Sequence, residues 1–255
     1  MKNFDVSRLF QIIFACVFAL SAFMVVFLLL RAYREQKAFE NLAEMVDKNI
    51  GVPEDLSSEM PESEEASPYI RLKEQNDDFY GWISIEGTRV DYPVMHTPDN
   101  PEYYLRRGFD GNWAESGVPF MSAECFDGCG NYLIHGHNMK NGTMFADILS
   151  YSHKEFYQEH PVIRFDTLED EREYHVMAAF FTQVTDGESN DFPYYQYTDL
   201  TNQKIFEEYL QRVSGAALYD TGITAKYKDA LITLSTCSYH ADNGRFVVVA
   251  REIKE

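Results

Sequence analysis

Basic residues are scarce in this chain: 22 Lys and Arg stand against 41 Asp and Glu, and no long basic run occurs in its 255 residues. A net charge of −19 repels nucleic-acid phosphates, so DNA and RNA are excluded as expected partners. Cysteine is also sparse. Of Cys16, Cys125, Cys129 and Cys237, the first lies inside an apolar run, and three is not the count of a disulfide-framed secreted domain. Stability must therefore come from a packed core. No internal repeat is present. His135 and His137 stand two residues apart, but no further ligands follow at metal-site spacing, so neither a metal nor another cofactor is expected. Apolar material is plentiful: 45% of residues are hydrophobic and 15% aromatic, including 19 Phe and 17 Tyr, enough for a sizeable core.

The longest apolar run, LFQIIFACVFALSAFMVVFLLL at 9–30, has Gln11 as its only strongly polar residue. About 20 such residues in a helix cross a hydrocarbon layer of about 30 Å. A cleaved signal peptide is the competing reading, with Lys2 and Arg8 as its basic start. The run is too long for that, and Arg31, Ala32, Tyr33 and Arg34 follow it without a small-residue cleavage site. Residues 1–8 are thus read as a cytoplasmic N-terminus, 9–30 as a transmembrane anchor and 31–68 as a helix followed by an acidic linker. The helix is expected at 33–50, where Phe39, Leu42, Ala43 and Val46 form a short stripe; GVPEDLSSEMPESEEASP at 51–68 has the composition of a solvated spacer.

From Tyr69 to the end the pattern is mostly β. WISIEGTRVDYPVM (82–95) alternates around Glu86-Gly87 and predicts a hairpin. Short strands are expected at 117–121 and 131–137, a long hairpin at 162–167 and 172–184, and a helix at 200–215, where Ile205, Phe206, Tyr209, Leu210 and Val213 share a face. ALITLSTC (230–237) and GRFVVVARE (244–252) are strongly β-type. The count is about eight strands with helical insertions, the composition of a closed or nearly closed β-barrel, preceded by the N-terminal helices.

Three residues of this domain carry nucleophilic chemistry. Cys237 ends an apolar strand, where a thiol is held rigidly at a cleft; the plain alternative is a core cysteine. Arg245 begins the next strand. If 231–237 and 245–251 pair antiparallel, its guanidinium stands beside Cys237, placed to donate to a developing oxyanion; otherwise it is a surface arginine. His137 follows a strand beside Gly136 and is suited to proton transfer near neutral pH, or is a solvated loop histidine.

TLSTC (233–237) followed by GRFVV (244–248), together with IHGHNM (134–139), resembles the signature of the sortase family, and the resemblance spans roughly residues 69–252. GWISIEGTRVDYPVM, DNPEYYL and Ser235 within TLSTC make it most similar to class B. The resemblance implies an eight-stranded sortase-type β-barrel in which Cys237 is the nucleophile, His137 the acid/base and Arg245 the oxyanion partner, with Ser235 and Asn100 lining the substrate groove. It implies a membrane-anchored transpeptidase that cleaves a C-terminal sorting motif of secreted proteins after Thr through a thioester, then passes the acyl group to an amine of the peptidoglycan. The charges flanking the span do not set its direction; this chemistry places the catalytic domain outside the cell. A cysteine protease using water uses the same three residues, and a non-catalytic binding module makes Cys237 mere core. Two features depart from the family: a histidine at 135, and the pair Cys125 and Cys129, for which a loop disulfide, an adventitious metal or no role remain open. A thiol and an imidazole with ordinary values of about 8.5 and 6.5 are both charged in only about 1% of molecules at pH 7, so slow turnover is expected.

Overall fold

The computed structural model describes residues 6–50, 69–184 and 192–254. The chain divides into two units, Met1–Leu42 and Ala43–Glu255. A single helix, α1 (Val6–Ile50), takes up the described part of the first unit and runs into the second. The separate anchor and helix expected at 9–30 and 33–50 are thus continuous. No Gly or Pro stands between residues 6 and 50 to break the hydrogen-bond ladder, and the Arg31–Glu35 pair at 3.3 Å supports the turn where the composition changes. The apolar part is exposed along its length, and α1 is long and apolar enough to cross a membrane. The acidic linker expected at 51–68 lies outside the described residues.

The second unit is built on eight strands: β1 (Phe79–Ser84), β2 (Asp91–Met95), β3 (Phe120–Met121), β4 (Asn131–Gly136), β5 (Val162–Thr167), β6 (Glu171–Gln183), β7 (Leu231–Cys237) and β8 (Gly244–Glu252). They close into a barrel in the order β1-β2-β3-β4-β7-β8-β6-β5, with β5 pairing back onto β1. The β1–β2 and β5–β6 hairpins form as the alternation predicts, the first turning at Gly87 with φ +75°. The strand expected at 117–121 shrinks to two residues. Gly117 has φ +59°, and a Cβ there would come within 2.6 Å of the Leu105 carbonyl, so the chain bends before it can extend.

The sheet is mixed. Strands β2 and β3 touch in parallel at Met95 and Phe120, and β4 runs parallel to β7 over six residue pairs, from Asn131 opposite Leu231 to Gly136 opposite Thr236. Strand β8 returns antiparallel on the other side of β7, from Leu231 opposite Arg251 to Cys237 opposite Arg245. Every residue of β7 before Cys237 is buried, which explains its nearly continuous apolar and β-branched run.

Helix α2 (Ile70–Gln75) leads into β1, α3 (Lys154–Glu159) precedes β5, and α4 (Gln203–Ala216) connects β6 to β7. The last of these starts later than the apolar spacing predicts. Asn202 caps it, its side chain accepting from the backbone N–H groups of Lys204 and Ile205. Buried Phe206, Tyr209 and Val213 line its inner face.

Beneath α4 lies a closed polar chain. Tyr209 OH meets Thr233 Oγ1 at 2.7 Å, Thr233 Oγ1 donates to Asn131 Oδ1 at 2.8 Å, and Asn131 Nδ2 donates to the Tyr197 carbonyl at 2.7 Å. All three side chains are essentially inaccessible to water, so each partner has no substitute. Replacement Asn131→Leu strands Thr233 and the Tyr197 carbonyl in an apolar setting. Chemical denaturation is expected to show a loss of about 3 kcal/mol in unfolding free energy; a loss below about 1 kcal/mol would mean that the network does not hold β4 to β7.

Candidate active site

Strands have a two-residue period, so Leu231, Thr233, Ser235 and Cys237 share one face of β7. The register sets His135 opposite Ser235 and Arg245 opposite Cys237. Towards the C-terminal end of β7 this face opens from the cover of α4 into a groove of about 300 Å³. His135, His137, Ser235, Cys237 and Arg245 all line it, with Leu105 and Glu102 on one wall and Tyr194 and Val184 on another. A cleft of similar size, bordered by Arg172 and Tyr227, lies by Asn131 and Leu231 at the opposite end of β4 and β7. It holds neither a thiol nor a histidine.

Each member is held by its own strand end. Gly136 is required before His137 because the Phe145 ring sits on it; a Cβ there would approach the ring to 2.5 Å. The His137 carbonyl accepts from Phe145 N–H, and the next residue, Asn138, donates from Nδ2 to the Cys237 carbonyl at 3.1 Å. That bond ties the loop after β4 to the end of β7, where the Thr236 hydroxyl also donates to the Gly136 carbonyl at 2.8 Å. His137 Nε2 stands 2.8 Å from the Leu105 carbonyl. A carbonyl only accepts, so Nε2 carries the hydrogen and Nδ1 is left as the basic atom. Burial pulls the imidazole below its ordinary value, and the Arg106 charge adds to this against the opposing Leu105 bond.

Cys237 is half-buried with a free thiol. Arg245, its cross-strand partner, also pairs with Thr182 of β6, and its guanidinium donates to the Gly244 carbonyl at 3.0 Å. A carbonyl carbon attacked at the thiol would find guanidinium donors on one side and an imidazole in the same groove. This arrangement suits acyl transfer.

A Sortase domain model matches residues 83–253. The chain is 35% identical to Sortase B of Listeria monocytogenes over 183 residues, covering 69% of this chain and 70% of that protein. It is 30% identical to Sortase B of Staphylococcus aureus over 187 residues, covering 72% and 73%. The chain belongs to the sortase family, in class B. Sortases are cysteine transpeptidases, and the barrel is theirs too: the structure of a Staphylococcus aureus sortase B–substrate complex superposes with a TM-score of 0.72 at 24% identity, covering 88% of this chain and 99% of that one.

In this sortase the structure gathers four of the five expected site residues, Cys237, His137, Arg245 and Ser235, into one groove. The fifth, Asn100, is exposed in the turn before it; the wall there is made by Pro101 and Glu102. Ser235 is buried, and its hydroxyl meets Tyr194 OH at 2.6 Å. Sequence reasoning did not single out Tyr194, Leu105 or Asn138. Asn138 was within reach, since it stands in the quoted IHGHNM stretch; Leu105 and Tyr194 come from loops that no local pattern ties to β4 or β7.

His135 stands in the groove with Nε2 at 2.8 Å from Ser122 Oγ and its ring 5.5 Å from that of Phe120. Burial, helped by the Arg245 charge, pulls it down to about 4. The folded protein therefore resists its protonation while the unfolded chain takes a proton near pH 6.5. Stability linked to His135 is complete above pH 6.5 and is lost as pH falls towards 4, amounting to about 2 kcal/mol by pH 5. In His135→Gln the difference in denaturant midpoint between pH 7 and pH 5 should shrink accordingly; an unchanged difference would place the acid sensitivity elsewhere.

Proposed function

We propose that this sortase is anchored by α1 with its barrel outside the cell, cleaves a sorting motif of secreted proteins after Thr, and transfers the acyl group to a peptidoglycan amine. The observation that carries the reading is the in-register placement of Cys237 opposite Arg245 in the groove that His137 also lines. The Staphylococcus aureus relative was solved as a substrate complex, which supports a peptide as the groove's occupant. The apolar length and exposure of α1 support the anchor.

In this mechanism Cys237 Sγ attacks the Thr carbonyl carbon, and Arg245 donates to the oxygen as it gains charge. His137, protonated at Nδ1, gives that proton to the departing amine as the C–N bond breaks, leaving a thioester. The incoming amine attacks the thioester carbon, loses a proton to His137, and expels the Cys237 thiolate. The Nε2 bond to Leu105 is kept in both charge states, so the ring need not turn between the half-reactions. Because burial disfavours the imidazolium, the population carrying both charges is small near neutrality, in keeping with slow turnover beside substrates delivered to the same membrane. Ser235 and Asn100 are assigned to the substrate groove, Ser235 through its bond to Tyr194.

The test mixes the full chain in detergent with sorting-motif peptides of the N-P-x-T and P-x-T-G types, with and without hydroxylamine. Mass spectrometry is expected to find an acyl adduct on Cys237 and an amine-exchanged product. Both should vanish in Cys237→Ala, and Arg245→Ala should slow the reaction by about 10²–10³-fold. Cleavage whose products ignore the amine would make the chain a protease; no adduct with any peptide, on a thiol that alkylating reagents still reach, would remove the motif assignment.

A further inference from the structure

Cys125 and Cys129 lie outside the catalytic groove and take no part in the mechanism above. Both are buried free thiols, at 3% and 0% exposure. An ordinary buried cysteine packs as a small hydrophobe. These two instead converge on one polar point: their sulfurs lie 3.6 and 3.4 Å from the same Asn131 carbonyl oxygen. The Cys125 sulfur also accepts Leu133 N–H at 3.4 Å. The short segment between them is turned back on itself, with Cys129 N–H donating to the Phe126 carbonyl and Gly128 at φ +84°.

We infer that Cys125 and Cys129 form a redox-active dithiol, a site that closes to an internal disulfide by exchange with a small-molecule disulfide. The attacking thiol is Cys129. The neighbouring Cys125 side chain holds the Cys129 thiol below its ordinary value, while Cys129 and burial push Cys125 up, so Cys129, next to the exposed tip, is the readier thiolate. It attacks one sulfur of the small disulfide, forming a mixed disulfide and expelling one thiolate. Cys125 then yields its proton to solvent and attacks the Cys129 sulfur, expelling the second thiolate. Two cysteine thiols are oxidised and one small disulfide is reduced to two thiols.

Cys237 is not the resolving partner. Cys125 is fixed at Leu133, which pairs with Thr233, four residues before Cys237 and about 13 Å away along the strand. Access comes from the tip. Phe126, Asp127 and Gly128 are exposed, and a Cβ at Gly128 would touch nothing, so opening the turn at its tip costs chiefly the hydrogen bond from Tyr80 OH to Asp127. The consequence for the groove is direct: Ser122, Ala123 and Glu124, which precede Cys125, line it, and Ser122 holds His135.

The experiment uses the full chain carrying Cys237→Ala in detergent, equilibrated natively in buffers of stepped oxidised-to-reduced glutathione ratio, quenched with acid and alkylated. Peptide mass spectrometry should find the segment holding both cysteines two hydrogens lighter and unalkylated at oxidising ratios, and restored by dithiothreitol. With Cys125→Ser added, Cys129 should take up glutathione at least tenfold faster than Cys125 does with Cys129→Ser. Two alkylated free thiols at every ratio, or linkage only after denaturation, would overturn the dithiol. Equal uptake by the two single thiols would overturn Cys129 as the attacking group.

Discussion

Two ladders on either side of β7 carry everything else in this protein. With β4 parallel on one edge and β8 antiparallel on the other, the ends of three strands meet at one level: Gly136 opposite Thr236 and Cys237 opposite Arg245. A slip of one residue on either side would turn His135, Cys237 or Arg245 to the wrong face. The register is therefore held by more than backbone pairing. Thr236 bonds to Gly136, Asn138 to the Cys237 carbonyl, and Thr233 to Asn131, so three residues of β7 have a side-chain or carbonyl tie to the β4 segment.

The polar residues in β7 follow from this. A strand buried on both faces is ordinarily an unbroken apolar run, yet Thr233, Ser235 and Thr236 interrupt it. Each finds a partner: Tyr209 and Asn131, Tyr194, and the Gly136 carbonyl. Buried hydroxyls with full hydrogen bonding cost little and discriminate among packings that apolar side chains would tolerate equally.

Much of this was legible in the chain. Strands β5, β7 and β8 fall within a residue of the segments where alternation and β-branching placed them, because their patterns are local. The antiparallel partnership of Cys237 with Arg245 was likewise inferable, since β7 and β8 are consecutive and short of connecting residues. The parallel pairing of β4 with β7 was not, because about a hundred residues separate them and no propensity encodes that contact. The expectation for His137, which lines the groove, rested on the likeness of IHGHNM to a known signature rather than on geometry. The departure at 117–121 is steric: the strand shortened because Gly117 lies against the Leu105 carbonyl. Asn100 stands exposed in the turn beside the groove, next to the lining residues Pro101 and Glu102.

The barrel is closed, and this bears on how an extended peptide is recognised. A sheet with a free edge can add any passing strand through backbone hydrogen bonds alone, with little regard for its side chains. Here β5 pairs back onto β1, so the sheet has no such edge to offer. An extended chain therefore cannot add as an edge strand, and what holds it is what the residues of the groove offer. Closure thus acts as a filter against indiscriminate strand addition beside the groove that Cys237 lines.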